Sequence, residues 1–586
     1  MPFLGYFNPN HCSIDSFNPL LVKDLSDQNN TVISGDNWAI AGNNVLFQDN
    51  LAIALDGFCL NLDQQDQLQQ IAELYRKHKT NLPNELNGPF AIAIIDSTQN
   101  SLLLIRDHIG QKEHFHATLT SKTVVFSTHL NPLKKFPRIS TQLNIKTLAD
   151  FTSLGYVPPP NTFYTGIKRL KPASTLLVDE RQTCESNFWM PTFKPYKKIN
   201  FHDAIEETWR RLDIAVNRCL QCKPHADSLL SGGIDSNLIT AIASTSPAFS
   251  GNAFTAGFQN PLYDERTLAK IASDKYRINN FVTEVVPTHC TLLTPILSAY
   301  GEPFADASII PTTVAMLLAK YNGATAILSG TGGDEIFAGY RRYQAMALRQ
   351  KWNFLPKWLV NAVATTIIAL CGNKPHDTRS RLATLTRMAN FWKQPPIQGF
   401  ATFQEIFNHD LKQQLLTFAT NSYLEQWQKV VEHLEKPTFL EQANAIDIAT
   451  YLPEDGCRKE AIATNFVSIT SLNPMLDREL VEFALQLPPS FRLTTRSRKR
   501  VLTQIAEYII PPELIRQPKR GFGMPLADWF SDESTQLLDQ LEDKPQLWDK
   551  HGYFNHAVIQ KLIHEHREGI KNNAYQLWLI LTLAKA

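Results

Sequence analysis

The sequence predicts an α/β protein in two halves, a strand-rich front and a back half built on a parallel sheet. Three observations predict it. Short apolar runs broken by turn signals fill the front of the chain, the pattern of strands in antiparallel sheets. From Phe201 onward, helix, apolar strand, Gly-rich turn and helix recur, the pattern of a parallel sheet with crossover helices. Between them, the Pro-rich segment Gly155-Tyr-Val-Pro-Pro-Pro160 and the turn Lys171-Pro172 read as a linker, because proline stiffens the chain and continues neither helix nor ladder. The boundary is set at 1–195 and 196–586.

Taken in order, the front strands are expected at Trp38–Ile40, Val45–Phe47, Leu51–Leu55, Phe90–Asp96, Ser101–Arg106 and Val124–Ser127, with one helix near Gln64–Lys77. After Tyr340 helical periodicity dominates. The most apolar stretch, Trp358 to Cys371, carries Asn361, Thr365 and Thr366, so a buried helix is expected rather than a membrane span.

Composition narrows the function. At 586 residues the chain is long enough for several cores. Its 57 Lys+Arg balance 56 Asp+Glu, so no global charge draws it to nucleic acid. The densest basic run, Arg496, Arg498, Lys499 and Arg500, suits a local anion contact. The start MPFLGYFNPN lacks a secretory pattern, and a cytoplasmic enzyme with no membrane or nucleic-acid partner is expected. Eight cysteines show no metal or disulfide spacing beyond Cys219-x-x-Cys222, which reads as helix packing.

The sharpest signal is Asp227-Ser-Leu-Leu-Ser-Gly-Gly-Ile-Asp-Ser-Asn-Leu-Ile-Thr240, a strand, a Gly-Gly turn and an apolar helix opened by Asp235 and Ser236. Glycines let the backbone approach a phosphate, and a helix N terminus favours the anion. The turn lacks the lysine of a Walker loop. Asp235 instead stands where a carboxylate can hold Mg²⁺ on pyrophosphate, which points to cleavage of ATP to AMP and pyrophosphate. A second strand, turn and helix, Ala326-Ile-Leu-Ser-Gly-Thr-Gly-Gly-Asp-Glu-Ile-Phe-Ala-Gly-Tyr340, would meet the first at one nucleotide if the strands are neighbours. Asp235 and Asp334 would then share the metal. Phe254–Phe258 is a further strand, whose small Ala256 and Gly257 suit packing against adenine.

Eight collinear segments resemble the glutamine-dependent asparagine synthetase family over essentially the whole chain. They are Leu86-Asn-Gly-Pro-Phe-Ala-Ile-Ala, Leu104-Ile-Arg-Asp-His-Ile-Gly110, S-G-G-I-D-S, Tyr263-Asp-Glu, S-G-T-G-G-D-E, Tyr451-Leu-Pro-Glu-Asp, Asn473-Pro-Met-Leu-Asp477 and Arg516-Gln-Pro-Lys-Arg-Gly-Phe-Gly523. The resemblance implies an N-terminal Ntn-type α/β/β/α sandwich and a C-terminal ATP-pyrophosphatase (PP-loop) domain that forms an acyl-adenylate for attack by an amine. By the same resemblance Ser231, Gly232, Gly233, Asp235 and Ser236 hold pyrophosphate and Mg²⁺, and Leu229, Ala256, Ser329 and Gly330 line AMP. Lys499 is a further phosphate contact. Asp334 completes the metal site, Thr331 stands in the acceptor region, and Lys519 neutralises charge in the transition state.

The front half departs from the family. Its glutaminases expose a cysteine as the first residue, whereas Met1 is followed here by Pro2, and Cys12 would serve only after cleavage. The substrate-binding Asn-Gly-Glu becomes Asp56-Gly57-Phe58, so this half is expected to lack glutaminase activity. In the back half, Thr331 replaces a family acid, Lys-x-Asp-Arg becomes Lys459-Glu-Ala-Ile462, and Leu-Glu-x-Arg-x-Pro becomes Ile469-Thr-Ser-Leu-Asn-Pro474. Fewer charges would pair with a free zwitterion. The expected function is therefore that of a lasso-peptide cyclase, which adenylates an Asp or Glu side chain of a precursor peptide for its N-terminal amine, alongside a partner protease and a leader-binding protein. The alternatives are an ammonia-using asparagine synthetase, a β-lactam-synthetase-like cyclase, whose usual Tyr is absent at Thr331, and an inactive scaffold.

Overall fold

The computed structural model describes residues 2–10, 30–119, 122–196, 198–371, 381–418, 423–515, 523–531, 536–543 and 549–586. Cys12 and Lys519, with nearly all of the motif containing that lysine, lie outside the described residues.

Alternation of apolar residues builds the front half. One antiparallel sheet has the spatial order Lys168–Arg169, Phe115–Thr118, Val124–Ser127, Phe3–Phe7, Trp38–Gly42, Thr31–Ser34. The other runs Thr183–Asn187, Ser174–Val178, Ser101–Arg106, Phe90–Asp96, Leu51–Gly57, Val45–Gln48. Successive side chains on a strand point to opposite faces. Phe3, Trp38, Ile40, Ala52, Ala54 and Leu104 therefore fill a core between the sheets. Leu51, Ile53 and Leu55 turn outward onto Ile71, Ala72 and Tyr75 of the helix Gln67–His78. On the other side Leu4 and Tyr6 meet Leu130 and Leu133 of the helix Leu130–Lys135. The result is an α/β/β/α sandwich.

The Pro-rich segment does not end this half, contrary to the sequence reading. The helix Ile145–Leu154, capped by the side chain of Asn144, buries Leu148, Ala149 and Phe151, with Val157 and Phe163, in a core of the back half. The chain then returns to add the strand Ser174–Val178 to the sandwich beside Ser101–Arg106. Proline stiffens this excursion; it does not separate two bodies.

The back half holds a five-stranded parallel sheet in the order Asn279–Glu284, Phe249–Gly257, Ala226–Leu229, Ala326–Leu328, Thr470–Leu472. The chain builds outward from the central Ala226–Leu229 strand in one direction, then resumes on its other side. That reversal places a crevice outside the carboxyl ends of Ala226–Leu229 and Ala326–Leu328, where open α/β sheets bind ligands.

Trp358 to Cys371 falls in a helix, Lys357–Cys371, but not a buried one. Trp358 and Leu370 are each 71% exposed, and only one stripe, around Ala364, is covered. Its main neighbour is the helix Arg381–Lys393, and one neighbour shields only one face of a helix whose apolar residues lie on more than one.

The halves meet across buried charge. Arg106 and Arg169 of the sandwich each place a guanidinium nitrogen 3.3 Å from Glu454, and Arg169 also pairs with Glu302. Arg458 reaches Glu113 at 3.3 Å and Glu302 at 3.2 Å and pairs with Glu454. Tyr300 donates to Glu113 at 3.1 Å and to Glu302 at 3.0 Å. Nearby, Asn87 donates to Asp477 at 2.9 Å and accepts from the Arg478 amide at 3.1 Å. Four of the matched segments thus form the seam between the halves.

Candidate active site

Both predicted turns stand at the crevice. The Ala226–Leu229 strand delivers Ser231, Gly232 and Gly233 to the helix Ile234–Ala243. The turn is internally braced: the hydroxyls of Ser231 and Ser236 lie 2.8 Å apart, the Gly233 amide donates to Ser231 Oγ at 3.1 Å, and Asn237 Nδ2 donates to the carbonyls of Ser231 and Gly233. The Gly232 amide donates to Glu265 Oε2 at 3.2 Å, which gives the Tyr263-Asp-Glu segment a place at the site. A ten-residue helix starting here aims its first-turn amides at any anion in the turn.

The second turn packs onto the first. A Cβ on Gly330 would lie 2.9 Å from Asp235 Cβ, and one on Gly333 would lie 2.7 Å from the Asp235 carboxyl. Both glycines are required by this close approach. The turn carries Asp334 into the short helix Gly333–Ile336. Gly333→Ala is expected to displace Asp235 and lower nucleotide-dependent activity about 10²-fold, as an ångström of misplacement can; ATP-dependent pyrophosphate release, measured beside an unchanged far-UV spectrum, checks it.

Asp235 and Asp334 converge on one point, and Lys499 occupies it. The lysine Nζ pairs with Asp235 Oδ2 and lies 2.8 Å from Asp334 Oδ1. Lys499 is 6% exposed and sits in the left-handed region at the start of the helix Arg500–Ile509. Burial alone would lower its pKa, but the two aspartates outweigh burial and raise it, so the ammonium stays charged. The sequence did not place this lysine between the carboxylates. The two carboxylates supply hard oxygen donors, and Asp235 Oδ1 is buried without a hydrogen-bond partner among the described residues; this donor set fits Mg²⁺.

The other predicted residues spread over the crevice. Leu229 ends its strand, half-buried. Ala256 is 6% exposed within the core, and Gly257 is covered by the Arg266 side chain. Ser329 and Thr331 lie 3.1 Å apart through their hydroxyls. Beside them the structure corrects the sequence reading of a site depleted of charge: Glu460, 3% exposed, accepts from Thr331 at 2.5 Å, from Ser329 at 3.0 Å and from Ser471. Lys459 pairs with Asp306 at 2.9 Å. A carboxylate from another segment thus stands against Thr331.

In the front half, Phe58 is 5% exposed and packs in the core of the back half with Ile109. Asp56 lies 3.3 Å from Lys112; burial would raise its pKa, but Lys112 above all holds it below the usual carboxylate range. Cys219 and Cys222 are both buried on the helix Phe201–Cys222, with burial raising both thiol pKa values, that of Cys222 to about 11. They are packing residues rather than reactive thiols.

Comparison with known proteins follows this division. A glutamine amidotransferase domain matches residues 63–189. An asparagine synthetase (glutamine-hydrolyzing) of Bacillus subtilis is 24% identical over 98% of this chain and 89% of its own. A putative asparagine synthetase (glutamine-hydrolyzing) of Mycobacterium bovis is 25% identical over 86% and 77%. A solved structure described as the allosteric regulatory enzyme of purine biosynthesis covers 48% of this chain and 80% of its own at 10% identity, with a TM-score of 0.23. The asparagine synthase family model matches residues 207–586, the whole parallel-sheet half with both turns and Lys499, and the chain therefore belongs to the asparagine synthase family of ATP-dependent carbon–nitrogen ligases.

Proposed function

We propose that this chain uses ATP to adenylate an Asp or Glu side chain of a precursor peptide, and that the peptide's own N-terminal amine displaces AMP to close a macrolactam. The observation that carries this reading is the closed front half. Phe58 fills the core between the halves, Asp56 is engaged by Lys112, and buried Arg and Glu side chains seal the seam. An arrangement in which the described residues offer no prepared source of glutamine nitrogen favours an amine that arrives at the back half itself. A precursor peptide offers one, and such a substrate implies a protease that frees the amine and a protein that presents the leader.

The residues present divide the work. The Ser231–Ser236 turn and its helix N terminus would receive the pyrophosphate, with Lys499 as the nearby cation. Asp235 and Asp334 would hold Mg²⁺, which supplies charge neutralisation on the phosphates. Ser329 and Gly330 would border the nucleotide, and Thr331 the acyl group. Lys519 is kept as the candidate cation for the transition state. Thr331 in place of Tyr disfavours a β-lactam-forming site.

A second reading is favoured by one observation. Glu460 puts a carboxylate beside the turn and Lys459, the residue before it, pairs with Asp306, and such charges could serve free aspartate with ammonia as the nucleophile. ATP–pyrophosphate exchange separates the two. Exchange is expected with a leaderless peptide bearing Asp or Glu, with a product lighter by one water. Exchange with free aspartate alone would replace the first reading by the second, and glutamate released from glutamine would overturn the closed front half.

A further inference from the structure

We propose that the helix Lys357–Cys371 and the aromatic corner before it dock on the surface of an anionic lipid bilayer. This face shares no residue with the crevice, and its role does not rest on the adenylation reading.

Charge along the chain points there first. Between Ile336 and Gln404 the sequence holds ten Lys and Arg and a single acid, Asp377, in a protein whose totals nearly balance at 57 and 56. Arg342 is engaged by Asp447, and Arg349 by the carbonyls of Phe391 and Gln394. Lys351, Lys357 and Lys393 are exposed, and none of the three pairs with a carboxylate among the described residues. An uncompensated basic surface of this kind attracts an anionic one.

Apolar exposure coincides with the charge. Phe354 is 79% exposed, Trp352 43% and Val363 45%, beside Trp358 and Leu370, and among residues 357–370 only Ala364 is buried. Trp352 meets Trp392 edge-on with ring centroids 4.9 Å apart, and Arg349 donates to the Phe391 carbonyl at 2.7 Å. The end of the helix Arg341–Lys351, the start of Lys357–Cys371 and the end of Arg381–Lys393 therefore share one corner. Lys351, Lys357 and Lys393 belong to the same corner as Trp352, Phe354 and Trp358.

An apolar helix with Trp and Phe at one end and lysines beside them suits a bilayer interface, with the rings at headgroup depth and the ammonium groups on anionic phosphates. A protein partner fits less well, because lysine is depleted at protein interfaces. The helix has 15 residues, about 22 Å at 1.5 Å per residue, short of the roughly 30 Å of a bilayer core. No helix among the described residues is long and apolar enough to cross a membrane. The sequence argued against a span, and lying on the surface needs none. The 11-residue helix Arg341–Lys351 begins where the second turn segment ends, at Tyr340, and finishes at the corner. Docking would thus hold that turn about 16 Å along the helix from the lipid.

Co-sedimentation of the full chain with vesicles tests this. Binding is expected to vesicles of equal parts phosphatidylcholine and phosphatidylglycerol, to fall about tenfold or more with phosphatidylcholine alone, and to weaken as salt screens the charges. Phe354→Ser combined with Trp358→Ser should lower binding about tenfold or more, since two large apolar side chains no longer enter the interface. Lys351→Glu, Lys357→Glu and Lys393→Glu together should remove the preference for the anionic lipid. All five side chains are exposed, so the melting temperature of each variant should match that of the wild type, and the lysine variant decides the matter if the aromatic one does not fold. No sedimentation of the wild type with anionic vesicles, equal binding to both compositions, or undiminished binding by the lysine variant overturns the proposal. A wild type that ignores vesicles but forms a dimer lost in the aromatic variant overturns it too, and gives the face to a second copy of the chain.

Discussion

Asp334→Ala is expected to cut ATP–pyrophosphate exchange by about 10²–10³-fold, the usual cost of removing one preorganised electrostatic partner of a charged transition state. The same change should leave the fold nearly intact. Two carboxylates and one ammonium meet at this point, and removing one carboxylate leaves Lys499 paired with Asp235 as a neutral couple rather than an orphaned charge. Activity and stability should therefore part company. Exchange kinetics beside a thermal melt check this: a melt that collapses together with the activity would mean that Asp334 is structural, and unchanged exchange would remove it from the candidate metal site.

Lys499→Met is expected to do the opposite, damaging stability at once and revealing the divalent site. Breaking a buried pair by deleting one partner costs about 3–5 kcal/mol, because the remaining charges stay buried without compensation. Here two carboxylates would be left facing each other. A divalent cation can take the vacated point, so Mg²⁺ should raise the melting temperature of this variant more than that of the wild type, in which the ammonium competes for the same oxygens. Binding at a hundredfold excess over Kd contributes about 2.7 kcal/mol, enough to recover much of the loss. Melts at increasing Mg²⁺ measure this directly, without reference to activity. A variant no more responsive to Mg²⁺ than wild type would show that Asp235 and Asp334 do not form a cation site.

What could be read from the sequence was local. Ser231 to Ser236 declared itself because strand, Gly-Gly turn and helix start are consecutive, and the Ala326–Tyr340 segment repeated the pattern. What was misread depended on distance. Thr331 looked like the loss of an acid because its carboxylate partner is 129 residues further on, and nothing in Lys459-Glu-Ala-Ile462 says which way Glu460 faces. Lys499 stood in a basic run that suggested phosphate but not its place between two aspartates from elsewhere in the chain. Trp358 to Cys371 was apolar enough for a core, yet hydrophobicity alone does not tell whether neighbours arrive on every side. The Pro-rich segment stiffens a detour through the other half, and only the pairing of Ser174–Val178 with Ser101–Arg106 reveals the return.

The seam bears on how such a chain can evolve. Three guanidiniums and three carboxylates, drawn from both halves, neutralise one another, all but the partly exposed Glu113 buried. Severing the ligase from its neighbour would take Arg106 and Arg169 away from Glu302 and Glu454 and leave Arg458 as the one guanidinium of the three beside two carboxylates, so the front half serves the back half as a folding companion. A gene shortened to the catalytic portion should yield insoluble product, and co-expressing the missing piece in trans should rescue it.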